Sequence, residues 1–180
     1  MLKNKNIVIG VCGGIACYKT ANLISLLKKE GANVNVIMTK NSQQFITPLT
    51  LRTLSQNPVV IDMFKETDNH EVKHISLAEK ADMIVVVPAT ANILGKVANG
   101  IADDMLSTVV MATTSPVLFA PAMNNNMYQN KIVQPNILKL KEYGYKFVEP
   151  IVGHLACGTK AVGKLAKVEQ ILEEIKKELY

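Results

Sequence analysis

The chain has 180 residues, 48% of them hydrophobic, which is enough apolar surface for one substantial core and too much for a disordered segment. Lys and Arg number 20 against 15 Asp and Glu, a formal net charge of +5, but the lysines are scattered over helix faces without interleaved aromatics, which excludes a nucleic-acid footprint and suits small anionic ligands. No apolar run reaches a membrane span, Met1 to Asn6 lack a signal-peptide pattern, and the odd set Cys12, Cys17 and Cys157 argues against a disulfide framework, so a cytoplasmic protein is expected.

In chain order, Ile7 to Val11 reads as a buried parallel strand broken by Gly13-Gly14. Ala21, Ile24 and Leu27 recur at helical spacing up to the basic end Lys28-Lys29 and Gly31. Val34 to Thr39 is a second strand. Ser42 to Leu54 is a helical region broken or restarted at Pro48. Residues 55 to 73 are polar and irregular, including Glu66-Thr67-Asp68-Asn69, and a short helix begins at Leu77-Ala78, leaving His74 just before it. Met83 to Val87 is the clearest strand, β-branched, uncharged and bounded by Pro88.

Helices follow over Ala91 to Ala98 and Asp104 to Ala112, then a strand over Val117 to Ala120 ended by Pro121. Asn130 to Tyr143 is a helix and Tyr145 to Val148 a fifth strand. Glu149 to Lys164 reads as a flexible Gly-rich loop. Val168 to Leu179 closes the chain as an amphipathic helix with Ile171, Leu172, Ile175 and Leu179 on one face. Strands separated by helices predict crossover connections and a parallel sheet covered on both faces, in one domain over 1–180.

In such sheets the loops after the strands build the ligand site. Gly10 to Ala16 joins a strand to a helix, where glycines let the backbone approach a phosphate and the helix start offers free N–H groups. The turn is not a clean G-x-G-x-x-G, and the second strand ends Met38-Thr39-Lys40, without an acid for a dinucleotide ribose. That weakens NAD and favours a mononucleotide such as FMN; a tight turn with no ligand is the alternative. Pro88 to Asn92 suits a flat ring or a phosphate, or is a helix start capped by Thr90. Asn124-Asn125-Asn126 is either a polar turn or, between Met123 and Met127, an amide that fixes a carboxylate.

His74 is an ordinary surface residue unless a ligand lies beside it, where an imidazole would suit proton transfer. Cys157 is an idle loop thiol or a proton donor on a closing segment. Cys17 reads as a small buried hydrophobe. His70, His74 and His154 have no thiol pair to join, so no metal site is expected.

Four blocks in order then carry a family resemblance. They are His74-Ile75-Ser76-Leu77-Ala78, the run Pro88 to Leu106, the run Pro121 to Tyr128 with its Pro-x-Met-Asn core, and Ala156-Cys157-Gly158. Together the chain resembles the homo-oligomeric flavin-containing cysteine decarboxylases, and within them the coenzyme A pathway members. The resemblance implies a Rossmann-like three-layer α/β/α sandwich of the flavoprotein type with a mainly parallel sheet. It implies a homotrimer or dodecamer, and the scattered lysines and short apolar runs leave no nucleic acid or membrane partner expected.

It also implies FMN held by Gly13, Gly14, Ile15, Ala16, Thr39, Asn41, Thr90, Ala91, Asn92, Ile93 and Ala122, with no metal. The implied reaction decarboxylates 4'-phosphopantothenoylcysteine to 4'-phosphopantetheine after transient oxidation of the cysteine thiol. His74 would be the acid/base, Asn124 the carboxylate binder and Cys157 the final proton donor, with Asn124, Met127, Ala156 and Gly158 touching substrate. Two features depart from the family: Tyr128 replaces the usual tryptophan, and Thr159 to Lys164 replace a clamp that continues with Asp, glycines and Arg. Peptide-cysteine decarboxylation and a non-catalytic flavin-binding regulatory subunit are the alternatives. A stand-alone enzyme and one domain of a longer protein are both compatible with the sequence.

Overall fold

The computed structural model describes residues 1–64 and 72–180. Glu66 to Asn69 and His70, read above as irregular chain and as a non-ligand, lie outside the described residues. The elements run β1 (Asn6–Val11), α1 (Cys17–Lys29), β2 (Asn33–Met38), a 3₁₀ turn (Lys40–Gln44), α2 (Pro48–Ser55), β3 (Val59–Val60), α3 (Lys73–Lys80) and β4 (Met83–Ala89). Then follow α4 (Ala91–Ala98), α5 (Met105–Ala112), β5 (Val117–Pro121), α6 (Asn125–Tyr128), α7 (Val133–Glu142), β6 (Lys146–Phe147), β7 (Ile151–His154), β8 (Lys160–Lys164) and α8 (Val168–Leu179).

Six strands form one sheet in the order β3-β2-β1-β4-β5-β6, and every pair in it is parallel. β1 and β4 are neighbours, with Ile7 opposite Met83 and Gly10 opposite Val86. All seven residues of β4 are buried, as a central strand covered on both faces requires. The two-residue period of β1 divides the core. Ile7, Ile9 and Val11 join one cluster with Leu23, Ile24 and Leu27 of α1, Leu51 of α2, and Ile171 and Ile175 of α8. Val8 faces the other cluster, with Ala78 of α3, Ile93 and Leu94 of α4, Leu106 and Val109 of α5, and Ile137 and Leu140 of α7. This is the expected three-layer α/β/α sandwich.

Polar groups fix how the layers sit. The buried Thr20 hydroxyl donates to the Val87 carbonyl at 2.8 Å and ties α1 to β4. Thr47 caps α2 ahead of Pro48, accepting from the Thr50 amide at 3.3 Å. Asp104 and Ser107 form a reciprocal capping box that starts α5.

Four sequence expectations change. β3 is a two-residue edge pairing with Val36 and Ile37, too short to show a period. α3 begins at Lys73, four residues before the expected start, so His74 lies within its first turn. The short helix α6 precedes α7, where one helix from Asn130 was expected. The supposed loop Glu149 to Lys164 contains an antiparallel hairpin, β7 with β8. Its glycines hid the strand pattern: Gly153 and Gly163 interrupt the apolar positions, and the register shifts between Ile151 and Val152. The tip is a hydrogen-bonded turn, Leu155 N–H to Thr159 O at 2.8 Å and Gly158 N–H to Leu155 O at 2.9 Å, with Gly158 at φ +87°.

Candidate active site

Strand order reverses between β1 and β4, and the crevice beyond the carboxyl ends of such strands is where parallel sheets bind ligands. A cavity of about 840 Å³ lies there. Its walls come from the segments after β1, β2, β4 and β5, and the β7–β8 hairpin closes it. Gly13, Gly14, Ile15, Ala16, Thr39, Asn41, Thr90, Asn92, Ile93, Ala122, Asn124, Met127, Ala156 and Cys157 all line it. Ala91, Gly158 and His74 do not. Ala91 is the first residue of α4 and Gly158 is at the hairpin tip. His74 is half-buried on α3, which packs on α5.

One wall suits a phosphate. α1 starts without a side-chain cap and without an acid in its first turn, and the loop that leads into it, Gly13 to Ala16, lines the cavity. A Cβ on Gly13 would lie 2.7 Å from the Asn41 Cβ, so glycine is what lets the 3₁₀ turn after β2 close against this loop. The Thr39 hydroxyl oxygen is buried there without a hydrogen-bond partner. Thr90 serves both readings offered for it: it lines the cavity and caps α4, accepting from the Ile93 amide at 3.5 Å.

The opposite wall carries reactive groups. Asn124 caps α6, and its Oδ1 accepts from the Asn126 amide at 2.8 Å. That bond fixes which way the amide points: Nδ2 is left to donate toward the Cys157 Sγ, 3.7 Å away. Cys157 is exposed, and its Sγ lies 3.3 Å from the Thr159 hydroxyl. The Thr159 hydrogen bond, with a smaller contribution from Asn124, draws the thiol below its ordinary pKa. Cys12 also lines the cavity, but burial outweighs a hydrogen bond from Thr90 and pushes its thiol up to about 12. Cys17 is the buried small hydrophobe expected, its thiol donating to the Cys12 carbonyl at 2.9 Å. Two similar sulfurs thus have opposite characters because one is buried and the other is not.

The hairpin reaches Asn124 through one glycine. The Met123 amide donates to the Gly163 carbonyl at 3.0 Å, and Gly163 has φ +128°. A Cβ at that position would collide with the Met123 carbonyl oxygen. Gly163→Ala is therefore expected to cost about 1–3 kcal/mol in stability and to lift the hairpin off Met123. A lower melting temperature together with faster labelling of Cys157 by a thiol reagent would show this; unchanged values of both would show that the docking is slack.

Sequence reasoning missed several wall residues, among them Lys19, Lys96, Asp104, His154 and Lys164. Lys96 contacts Asp103 at 2.6 Å and Asp104 at 2.7 Å. Burial pushes the Asp104 carboxyl up, but Lys96 and the Ser107 hydrogen bonds outweigh it and hold it below the usual carboxylate range. Lys96, Asp103 and Asp104 stand inside the run Pro88 to Leu106, so the signal was present. Their mutual contact, made across the turn between two helices, was not readable.

Known proteins are similar to the chain over nearly all its length. The coenzyme A biosynthesis bifunctional protein CoaBC of Borreliella burgdorferi is 51% identical over 175 residues, covering 97% of this chain and 45% of that protein. The chain thus spans less than half the length of this bifunctional relative. A probable phosphopantothenoylcysteine decarboxylase of Streptococcus mutans is 45% identical over 177 residues, covering 97% of this chain and 99% of that one. Among solved structures, the FMN-dependent cysteine decarboxylase SpaF superposes with a TM-score of 0.86 at 28% identity, covering 99% of both chains. The Flavoprotein family model matches residues 1–180, and the chain belongs to that family.

Proposed function

We propose that the chain is an FMN-dependent decarboxylase of 4'-phosphopantothenoylcysteine, acting in coenzyme A biosynthesis. The observation that carries this reading is the meeting of Asn124 and Cys157, 3.7 Å apart, in the same cavity as the uncapped start of α1. The names of the similar proteins from B. burgdorferi and S. mutans support the substrate, and that of SpaF supports the cofactor. Gly13, the orphaned Thr39 hydroxyl and Asn41 fit an FMN phosphate, and Thr90, Ile93 and Ala122 fit the wall beside its ring. When bound there, FMN would supply reversible two-electron oxidation and reduction at the substrate thiol, with no net redox change over the reaction.

The protein side chains position and protonate. Asn124 presents its amide N–H groups to the substrate carboxylate, since its oxygen is already engaged. Cys157 delivers the last proton from the hairpin that covers the ligand. His74 is the acid/base at the reacting carbon. It stands outside its own chain's cavity, so this role requires a neighbouring subunit to supply it, and the active unit is a homotrimer or a multiple of one. Peptide-cysteine decarboxylation, the alternative, ends at the enethiol and has no use for Cys157.

The deciding experiment is purification followed by turnover. A yellow protein that releases FMN and converts 4'-phosphopantothenoylcysteine to 4'-phosphopantetheine is expected. A colourless protein that takes up NAD in preference, or one that acts only on a cysteine-terminated peptide, overturns the reading. An active monomer by light scattering refutes the shared site.

Asn124→Asp isolates the carboxylate contact, because aspartate still caps α6 and accepts from Asn126. It places a carboxylate against the substrate's own. KM for the Asp variant is expected to exceed that of Asn124→Ala by roughly tenfold or more. Equal or tighter binding by the Asp variant would remove Asn124 from that contact.

A further inference from the structure

The cavity has an imbalance of charge that the reading above does not use. Its walls hold four lysines, Lys19, Lys40, Lys96 and Lys164, against a single carboxylate, Asp104. Asp104 is already engaged by Lys96 and by the α5 capping box. Lys19 and Lys164 come from different elements, the first turn of α1 and the last residue of β8, and both are half-buried. Among the described residues, neither has a carboxylate partner. Lys164 also folds back over Gly153, whose missing side chain makes the room: a Cβ there would lie 2.8 Å from the Lys164 Cδ.

We infer that Lys19 and Lys164 form a two-lysine site for a phosphomonoester dianion, at the junction of α1 and the covering hairpin. The inference rests on the proposed function, in which both the substrate and FMN end in such a group. Two partly dehydrated ammonium groups in one wall repel each other unless an anion lies between them. Consistent with this, desolvation and then the charge of Lys164 draw the Lys19 ammonium below its ordinary pKa. A dianion with three acceptor oxygens meets both ammonium groups at once, which a single carboxylate does less well. Lys164 follows Gly163 directly, so a ligand held here also draws on the segment that docks the hairpin on Met123. The site would thereby couple phosphate recognition to the placing of Cys157.

Lys19→Gln, Lys164→Gln and the double variant test the pair, with Lys164→Arg as the charge-keeping rescue and Lys160→Gln, at the exposed start of β8, as the control. The first readout is KM of the holoenzyme for 4'-phosphopantothenoylcysteine and for pantothenoylcysteine. The second is the Kd of the apoprotein for FMN and for riboflavin, read by flavin fluorescence. The third is the melting temperature in inorganic phosphate against chloride at equal ionic strength.

Each neutral variant is expected to weaken one phosphorylated ligand by about tenfold or more and to leave its unphosphorylated counterpart unchanged. A collapse of the substrate ratio assigns the pair to the substrate phosphate. A collapse of the FMN-to-riboflavin ratio assigns it to the cofactor phosphate. Both ratios, and the phosphate-induced rise in melting temperature, staying at wild-type values in the double variant would overturn the pair. A wild-type holoenzyme that turns over neither substrate refutes the proposed function instead, and the flavin and melting measurements still decide the lysines.

Discussion

Cys157→Ser is expected to release CO₂ once per active site and then stall. The step that remains needs a proton delivered together with the returning electrons, and serine is far too weak an acid to supply it. The wild-type thiol is suited to the task, since the Thr159 hydrogen bond draws it below its ordinary pKa. With the protonated thiol as the proposed donor, the final step is expected to be fully active below that lowered pKa and to slow as pH rises through it, earlier than an unperturbed cysteine would dictate. Rapid-mixing flavin absorbance with mass spectrometry of the product would show loss of the oxidised flavin band without recovery, and an enethiol in place of 4'-phosphopantetheine. Formation of 4'-phosphopantetheine at the wild-type rate would make the thiol idle and remove the main support for this substrate over a peptide.

His74→Asn carries the other large effect, a loss of about 10²–10⁴ in the first oxidation step, with FMN still bound. Retention of the flavin is expected because His74 does not line the cavity of its own chain. The same geometry makes a mixed assembly informative. Subunits bearing His74→Asn, refolded with subunits bearing Cys157→Ser, would regenerate sites with one intact histidine and one intact thiol. Recovery of activity in the mixture supports a shared site. Near-normal turnover by the histidine variant alone takes His74 out of the mechanism.

The sequence made the sandwich legible because its central strands are long and uninterrupted. Ile7 to Val11 and Met83 to Val87 each announce a buried strand, and the helices between them bury one face each. The hairpin stayed hidden because strand pairing over Ile151 to Lys164 depends on glycines that carry no propensity of their own. In the site, the loops after β1, β4 and β5 were legible as motifs, and most of the residues named there line the cavity. Lys19 and Lys164 were not, because a lysine on a helix reads as surface and one after Gly163 as loop. Only the fold brings these two, 145 positions apart, to the same cavity. The position of His74 relative to the cavity was equally unreadable, since no periodicity says which side of a sheet's edge a short helix will occupy.

An oxidising medium sorts the three thiols by their surroundings. Cys12 and Cys17 are buried, and burial keeps their protons on. Cys157 is exposed and acidified, the combination that peroxides attack first, through sulfenic acid and then irreversibly beyond it. Cys157 lies on the hairpin, outside both core clusters, so damage at that sulfur is expected to leave the sandwich folded. With Cys157 as the final proton donor of the proposed function, ageing in air is expected to cost completed turnovers ahead of any loss of structure.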